Sequence, residues 1–338
     1  MSAVRTDSLS KRYRQGFRRP PVDALRNVTL EIPRGEVFGF LGPNGSGKTT
    51  LLKCLLNIIY PTSGQMRLLD QPVTDRAVKR QVGYLPESPY FYDRFTGVEL
   101  LEFYGGLYGM SRRDIAARIP VVIEEVGLGE TAAKRPLRTY SKGMLQRIGI
   151  AQAIVAEPEL IILDEPSTGL DPVGRRQIKD LIRQYFERGH TVFLNSHILE
   201  DIENLCHRVG VIYQGDLLAC ETVEALTRTE HVVLVRVRDW TEAGALAVMP
   251  LVESHEQRPD GVLKLVLQPG VEAPQIVRAL VAAELDVFEV NPQIIRLEDR
   301  FLDLLSERGG VPESVRAQLA GGLVLTPAAV EPSTGGIP

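Results

Sequence analysis

The chain has 338 residues, length for about two domains, and its 44% hydrophobic and 24% charged residues suit a chain that buries a core. Its 39 Lys and Arg against 43 Asp and Glu leave a net charge of −4, without the basic footprint of a dedicated nucleic-acid binder. Three scattered cysteines (Cys54, Cys206, Cys220) without a CxxC pair argue against a disulfide scaffold or zinc site and fit a reducing compartment. The N-terminus lacks a signal-peptide apolar run, and no stretch reaches the ~18–20 apolar residues that span a bilayer.

Val28, Leu30 and Ile32 alternate as in a half-buried strand, and Val37–Leu41 reads as a fully buried one. A glycine-rich turn leads into a helix over about 47–57. Residues 86–140 carry helical periodicity, a helical insertion whose subdomain is taken as about 87–155. Apolar runs return at Leu160–Leu163, Thr191–Leu194 and Val209–Tyr213, separated by helix-length segments, one opened by Asp171-Pro172 and closed by Gly189. The alternation predicts an α/β fold, a mainly parallel sheet with a helical insertion, over residues 1–226. Beyond Leu226, strands at His231–Val237, Leu263–Leu267 and Val287–Val290 and helices at Pro274–Ala283 and Leu297–Ser306 predict a small α+β module over 227–306. Residues 307–338 are Gly/Pro-rich and read as a flexible tail.

The turn after the buried strand, Gly42-Pro43-Asn44-Gly45-Ser46-Gly47-Lys48-Thr49, fits the P-loop pattern and is followed by Thr50 on the same helix. Glycines let backbone N–H groups converge on phosphates, the helix N-terminus adds its positive end, Lys48 reaches the β/γ-phosphates and the Thr49 hydroxyl suits Mg²⁺. This predicts a P-loop NTPase core. A second apolar strand ends in Asp164-Glu165, at the edge where open α/β sheets bind ligands. There Asp164 can hold Mg²⁺ and Glu165 can polarise an attacking water; alone, the pair also reads as a capping turn.

These motifs, with Pro166-Ser167-Thr168-Gly169-Leu170-Asp171 after the acids, resemble the ATP-binding subunit of an ABC transporter over about Val4 to Leu226. Ser141-Lys142-Gly143-Met144, followed by Gln146-Arg147, is similar to that family's signature loop, with Lys142 where Gly is usual and Met144 where Gln is usual. The resemblance implies that Ser141 and Gly143 meet the phosphate of a nucleotide held by a second ATPase subunit; on local sequence Ser141 is equally a helix cap. It also implies that His197 contacts the γ-phosphate, that Asp171 belongs to a loop crossing the dimer interface, and that Tyr13 stacks on adenine. Glu87 stands where a Gln commonly touches Mg²⁺, and its carboxylate is a competent ligand. Tyr84-Leu85-Pro86-Glu87 and the signature variant resemble the exporter branch whose ATPase and membrane subunits are separate chains.

The expectations are therefore an ATPase that binds ATP and Mg²⁺, pairs with a second ATPase subunit and drives an integral membrane permease from the cytoplasmic face. The other class, a soluble ABC ATPase acting on DNA or ribosomes, generally carries a coiled-coil insertion or two nucleotide-binding halves, and neither appears in this sequence. The aromatic cluster Tyr90, Phe91, Tyr92, Phe95, Phe103 and Tyr104 reads as core of the insertion or as a groove for a cytoplasmic helix of the permease; most side chains are expected in the core, with one or two lining an exposed docking patch. The basic run Lys11, Arg12, Arg14, Arg18 and Arg19 reads as a solvated loop, the alternative being a surface facing anionic lipid or nucleotide phosphate.

Overall fold

The computed structural model describes residues 1–14, 20–227, 232–238, 240–258, 261–292 and 297–306. Arg18, Arg19, His231 and the expected tail at 307–338 lie outside the described residues. The chain opens with strands β1 (Ser2–Tyr13), β2 (Val22–Pro33) and β3 (Val37–Leu41), then α1 (Lys48–Leu55), β4 (Ser63–Leu68), β5 (Gln71–Pro72), α2 (Arg76–Lys79) and β6 (Val82–Leu85). The helical insertion holds α3 (Gly97–Tyr108), α4 (Arg112–Glu125), α5 (Glu130–Ala133) and α6 (Lys142–Ile154). Alternation resumes with β7 (Leu160–Asp164), α7 (Pro172–Glu187), β8 (Thr191–Asn195), α8 (Leu199–Leu205), β9 (Arg208–Tyr213), β10 (Asp216–Thr222) and α9 (Val223–Thr227). The last elements are β11 (Val232–Val237), α10 (Glu242–Val248), β12 (Val252–Gln257), β13 (Val262–Leu267), α11 (Ala273–Ala282), β14 (Val287–Pro292) and α12 (Leu297–Ser306).

Two compact units result: Met1–Cys220 together with the segment from Phe301, and Glu221–Arg300. The first contains a six-stranded sheet in the order β10-β9-β3-β8-β7-β6. From β9 to β6 every neighbouring pair is parallel. Its strands β3, β7 and β8 are buried at every residue, which is why they read as continuous apolar runs. A second, antiparallel sheet, β2-β1-β4-β5, was not expected from the sequence. Its Val4, Leu9, Val28, Leu30 and Ile32 share one core with Leu51, Leu52 and Leu55 of α1 and with Phe38, Phe40 and Phe193 of the parallel sheet. Lys11 and Arg12, expected in a loop, lie in β1, where Arg12 pairs with Asp23.

Local chemistry sets the helix ends. Asp171 accepts the Gly174 N–H at 2.7 Å, Pro172 opens α7, and Gly189 follows the helix at φ +91°. Thr96 and Glu99 form a reciprocal capping box on α3. The expectation that most of the insertion's aromatics are core is corrected: Phe91 alone of the six is buried, while Tyr90 and Tyr92 are 88% and 70% exposed. The buried side of α3 is Gly97, Leu100, Leu101 and Gly105. Tyr92, Phe95, Phe103 and Tyr104 instead contact one another, each successive pair of ring centroids within 6.1 Å.

The second unit runs β11-α10-β12-β13-α11-β14, with sheet order β12-β13-β11-β14 and antiparallel neighbours. That is the split βαβ, ferredoxin-like arrangement. Val233, Val235, Leu263, Leu265, Ile276 and Leu280 fill its core. The expected strands and helices of this module are present, together with α10 and β12, which the sequence reading omitted.

Candidate functional site

The glycine-rich turn leaves β3 at Leu41 and enters α1 at Lys48. Gly47 takes φ +113° and gives α1 no side-chain cap, so the first-turn N–H groups have no side-chain acceptor there. A Cβ on Gly42 would lie 2.3 Å from Ile212 O, so the loop passes closely over β9. Lys48, only 7% exposed, donates from Nζ to the carbonyls of Gly42 and Pro43. Ser46 Oγ is buried without a hydrogen-bond partner. Gly45 sits at φ +78°, Asn44 and Gly45 are exposed, and Thr49 and Thr50 are half-buried.

Opposite charge arrives from the ends of β7 and β8, which pair Asp164 with Asn195. Asn195 donates from Nδ2 to Asp164 Oδ1 at 2.5 Å, and its carbonyl accepts the Glu165 N–H at 2.8 Å. His197 Nδ1 lies 2.6 Å from Glu165 Oε2. Glu165 is a non-glycine residue at φ +54°. Burial pushes the Asp164 carboxyl up to about 6, the Asn195 bond opposing and Glu165 and Glu87 adding to the rise. Burial also lowers the Lys48 ammonium, against the pull of Glu165, Asp164 and Glu87. The bond to Glu165 raises His197, with burial opposing. Glu87 itself is exposed, after β6, yet near enough for its charge to act on Lys48, Asp164 and His197.

Lys48, Glu87, Asp164, Glu165 and His197 thus form one electrostatic site. Among the described residues no group of three or more His, Cys, Asp or Glu could hold a metal by itself. A cation here would need oxygens of mixed origin: the Asp164 and Glu87 carboxylates interact electrostatically, Asn195 Oδ1 is buried and unpartnered beside Asp164, and Thr49 carries a hydroxyl next to Lys48 in the first turn of α1. Burial is the main cause of the rise at Asp164, and the added negative charge of Glu165 and Glu87 is what a divalent cation would relieve, so the donor set fits.

Tyr13 is half-buried at the end of β1, opposite Val22 of β2, with Lys11 Nζ 5.1 Å from its ring centroid. β2 also supplies Ala24 O, 2.4 Å from where a Cβ on Gly47 would sit, which brings this strand pair to the cradle. Ser141, Gly143 and Asp171 gather elsewhere. Ser141 caps α6 through the Met144 N–H at 3.3 Å and is exposed, Gly143 packs against Gly169 and Leu170, and Asp171 caps α7. Among the described residues none of the three hydrogen-bonds to residues 42–50 of its own chain.

Of two further residues of this site, Asn195 received no role from the sequence and Gln146 only its place in the signature-like loop. Asn195 aligns Asp164 and the Glu165 N–H, and Gln146 donates from Nε2 to the carbonyls of Glu165 and Pro166, each at 3.1 Å. The available signal for Gln146 was its place after Ser141-Lys142-Gly143-Met144 in the signature-like loop, on a helix whose later turns bury Ile150 and Ile154.

The sequence profile described as ABC transporter matches residues 25–168. An ABC transporter ATP-binding protein of Synechocystis is 40% identical over 311 residues, covering 91% of this chain and 86% of that protein. The bacitracin transport ATP-binding protein of Bacillus licheniformis is 33% identical over 307 residues, covering 89% of this chain and 97% of that protein. Among solved structures, a dimeric ATP-binding cassette in a post-hydrolysis state with ADP and phosphate is similar with a TM-score of 0.61 at 26% identity, over 65% of this chain and 98% of that one.

Proposed function

Because the chain belongs to the ATP-binding subunits of ABC transporters, we propose that its ATPase activity energises export through a separate integral membrane permease, and that it works as a dimer closed over two ATP molecules. The observation that carries the mechanism is the 2.6 Å contact between Glu165 and His197 in one charged site with Lys48. Glu165 accepts the proton of a water attacking the γ-phosphate in line, and His197 holds the carboxylate in direction. Lys48 and the N–H groups of residues 42–50 offset charge on the β/γ-phosphates. Thr49, Asp164 and Glu87 would hold Mg²⁺, which supplies further neutralisation of the phosphate oxygens when bound. Tyr13 stacks on adenine. Ser141 and Gly143 serve the nucleotide of a second copy, and Asp171 lies in the loop between copies.

Export is supported by the bacitracin transport relative and by the Pro86-Glu87 and Ser141-Lys142-Gly143-Met144 variants. No described helix is long and apolar enough to cross a membrane, and in this reading a permease supplies the spans and this chain attaches to it at the cytoplasmic face. The cassette is assigned to residues 1–226 and an accessory module to 227–306. The test is to capture the tagged chain from detergent-solubilised native membranes under ATP and identify what accompanies it. A protein with about six ~20-residue apolar spans, whose presence stimulates ATP turnover, is expected. Recovery with ribosomes or DNA instead would overturn the transport reading.

A further inference from the structure

The turn from Glu165 to Asp171 is held along one side by α6. Gln146, 3% exposed, donates to Glu165 O and Pro166 O from a single amide nitrogen, 3.1 Å to each. The two carbonyls fix the orientation of that amide, since its own oxygen would face oxygens in the same place. Glu165 is held in the left-handed region, which costs a non-glycine residue ~1–2 kcal/mol. That conformation persists because its peptide groups are engaged on both sides: the N–H by Asn195 O at 2.8 Å, the carbonyl by Gln146 and by the Thr168 N–H at 3.1 Å. The direction of the carboxylate toward His197 follows from this backbone.

The same helix carries the signature loop at its start. Its Lys142 stem lies over Gly169, where a Cβ would come within 2.9 Å of it, and Gly143 meets Gly169 O at a distance of 3.4 Å from its own would-be Cβ. One helix therefore touches the turn at three successive places, and Gln146 is the contact nearest the reacting carboxylate.

We infer that Gln146 is a positioning residue for hydrolysis: it ties the strained turn bearing Glu165 to the helix that begins at Ser141, so the carboxylate is aligned when α6 sits in this place. The inference rests on the reading of Glu165 as the group that activates water. A shift of α6 withdraws the donor from the Glu165 and Pro166 carbonyls and lets the turn relax. The alignment of the carboxylate thereby becomes sensitive to what the Ser141 end of the same helix engages.

Gln146→Met tests this in the purified full-length chain, because it keeps length and approximate volume while removing both donations. Thermal unfolding, equilibrium ATP binding, kcat and KM are measured, alone and on a Glu165→Gln background. The expected result is a melting temperature within a few degrees of the parent and ATP affinity and KM within about twofold. Meanwhile kcat falls about 10²-fold, the cost of a misplacement of ~1 Å. On the Glu165→Gln background the substitution adds no further loss, because its effect passes through the carboxylate. A kcat within about twofold of the parent, or an equal fall on both backgrounds, overturns the inference. Parental turnover by Glu165→Gln alone would instead remove the reading of Glu165, and that arm reports it separately. Gln146→Glu, which sets a carboxylate against the two carbonyls, provides the same comparison if the Met variant is unstable. Loss of ATP binding in both variants overturns the inference too, since the amide would then support the cassette as a whole.

Discussion

In the unit Glu221–Arg300 the core is apolar, built from valine, leucine and isoleucine. In the unit of Met1–Cys220 the buried set also includes Lys48, Gln146, Asp164, Glu165, Asn195 and Asp201, and every buried polar side chain among the described residues belongs to it. Burying a charge costs stability unless it is paired and hydrogen-bonded. A chain that accepts that cost at the ends of two parallel strands, beside a loop of positive-φ glycines, is organised there around a charged ligand. Among the described residues the ferredoxin-like unit buries no such group, and its core is packed from apolar side chains. The difference teaches where stability and activity pull in opposite directions and where they do not.

Asp164→Asn breaks the comparison at its sharpest point. ATP turnover is expected to fall by about 10²–10³, as when one preorganised charged group is lost. The nucleotide-free protein should nevertheless become more stable, by about 1–3 kcal/mol at neutral pH, because burial holds this carboxyl up at about 6. The folded value lies above the ordinary one, so the parent loses stability as pH rises from about 4 to about 6 and regains it on acidification. The gap between parent and variant should therefore be widest above pH 6 and close below about pH 4. Thermal unfolding across that range checks it; a variant less stable at pH 7 would mean that the carboxylate is not a strained group.

Leu265→Ala probes the other region. Leu265 is fully buried in the apolar core of the second unit, and truncation there costs ~2–5 kcal/mol. Calorimetry should show the loss in the transition of this unit, while ATP raises only the transition of the cassette. An equal ATP-induced shift of both transitions would show that the nucleotide stabilises more than the cassette.

The cradle was legible because its information is contiguous: Gly42 to Thr49 in one turn, between a buried strand and a helix. Asp164, Glu165 and His197 were legible as strand-end residues, through resemblance for His197. The antiparallel sheet was not, because register shifts at Thr6/Leu9 and Leu9/Lys11 break the two-residue period of β1. β12 was missed because Val252 is its sole buried residue, so the segment reads as polar. Gln146 and Asn195 act on partners 19 and 31 residues away, and in the case of Gln146 those partners are backbone carbonyls, which carry no side-chain signature. The aromatics misled because rings can satisfy one another at a surface.

A buried carboxylate outside the ligand site sharpens the contrast. Glu125, with its side chain 10% exposed, accepts from Arg118 Nη2 at 2.8 Å, from Tyr185 OH at 2.9 Å and from Arg188 Nη1 at 2.9 Å, joining α4 to α7. Burial pushes this carboxyl up, but the bonds from Arg118 and Arg188 outweigh it and hold it below its ordinary value. Glu125→Gln should therefore lower stability, by ~1–3 kcal/mol, with kcat unchanged. Because the folded value is depressed, the stabilisation is complete above the ordinary carboxylate range and is lost as pH falls through the folded value. The melting-temperature gap should be full at pH 7 and shrink on acidification, opposite in sign to Asp164→Asn. A gap that does not change with pH would mean that the pair contributes through packing alone.

The smallest effect is expected at Glu87, whose charge reaches the site from an exposed position. Glu87→Gln removes one negative charge while keeping an oxygen that can face a cation. ATP binding should persist, since Lys48 and the loop of residues 42–47 are untouched. The Mg²⁺ concentration for half-maximal ATP turnover should rise about two- to fivefold, on the order of 0.5–1 kcal/mol for an exposed charge pair. Because the carboxylate is exposed, salt should screen its contribution, so parent and variant should converge as ionic strength approaches ~1 M, where the screening length is ~3 Å. A buried ligand would not behave so: the Asp164 deficit should remain at the same salt. Superimposable Mg²⁺ titrations at low ionic strength would leave Glu87 a bystander and remove it from the proposed Mg²⁺ donors.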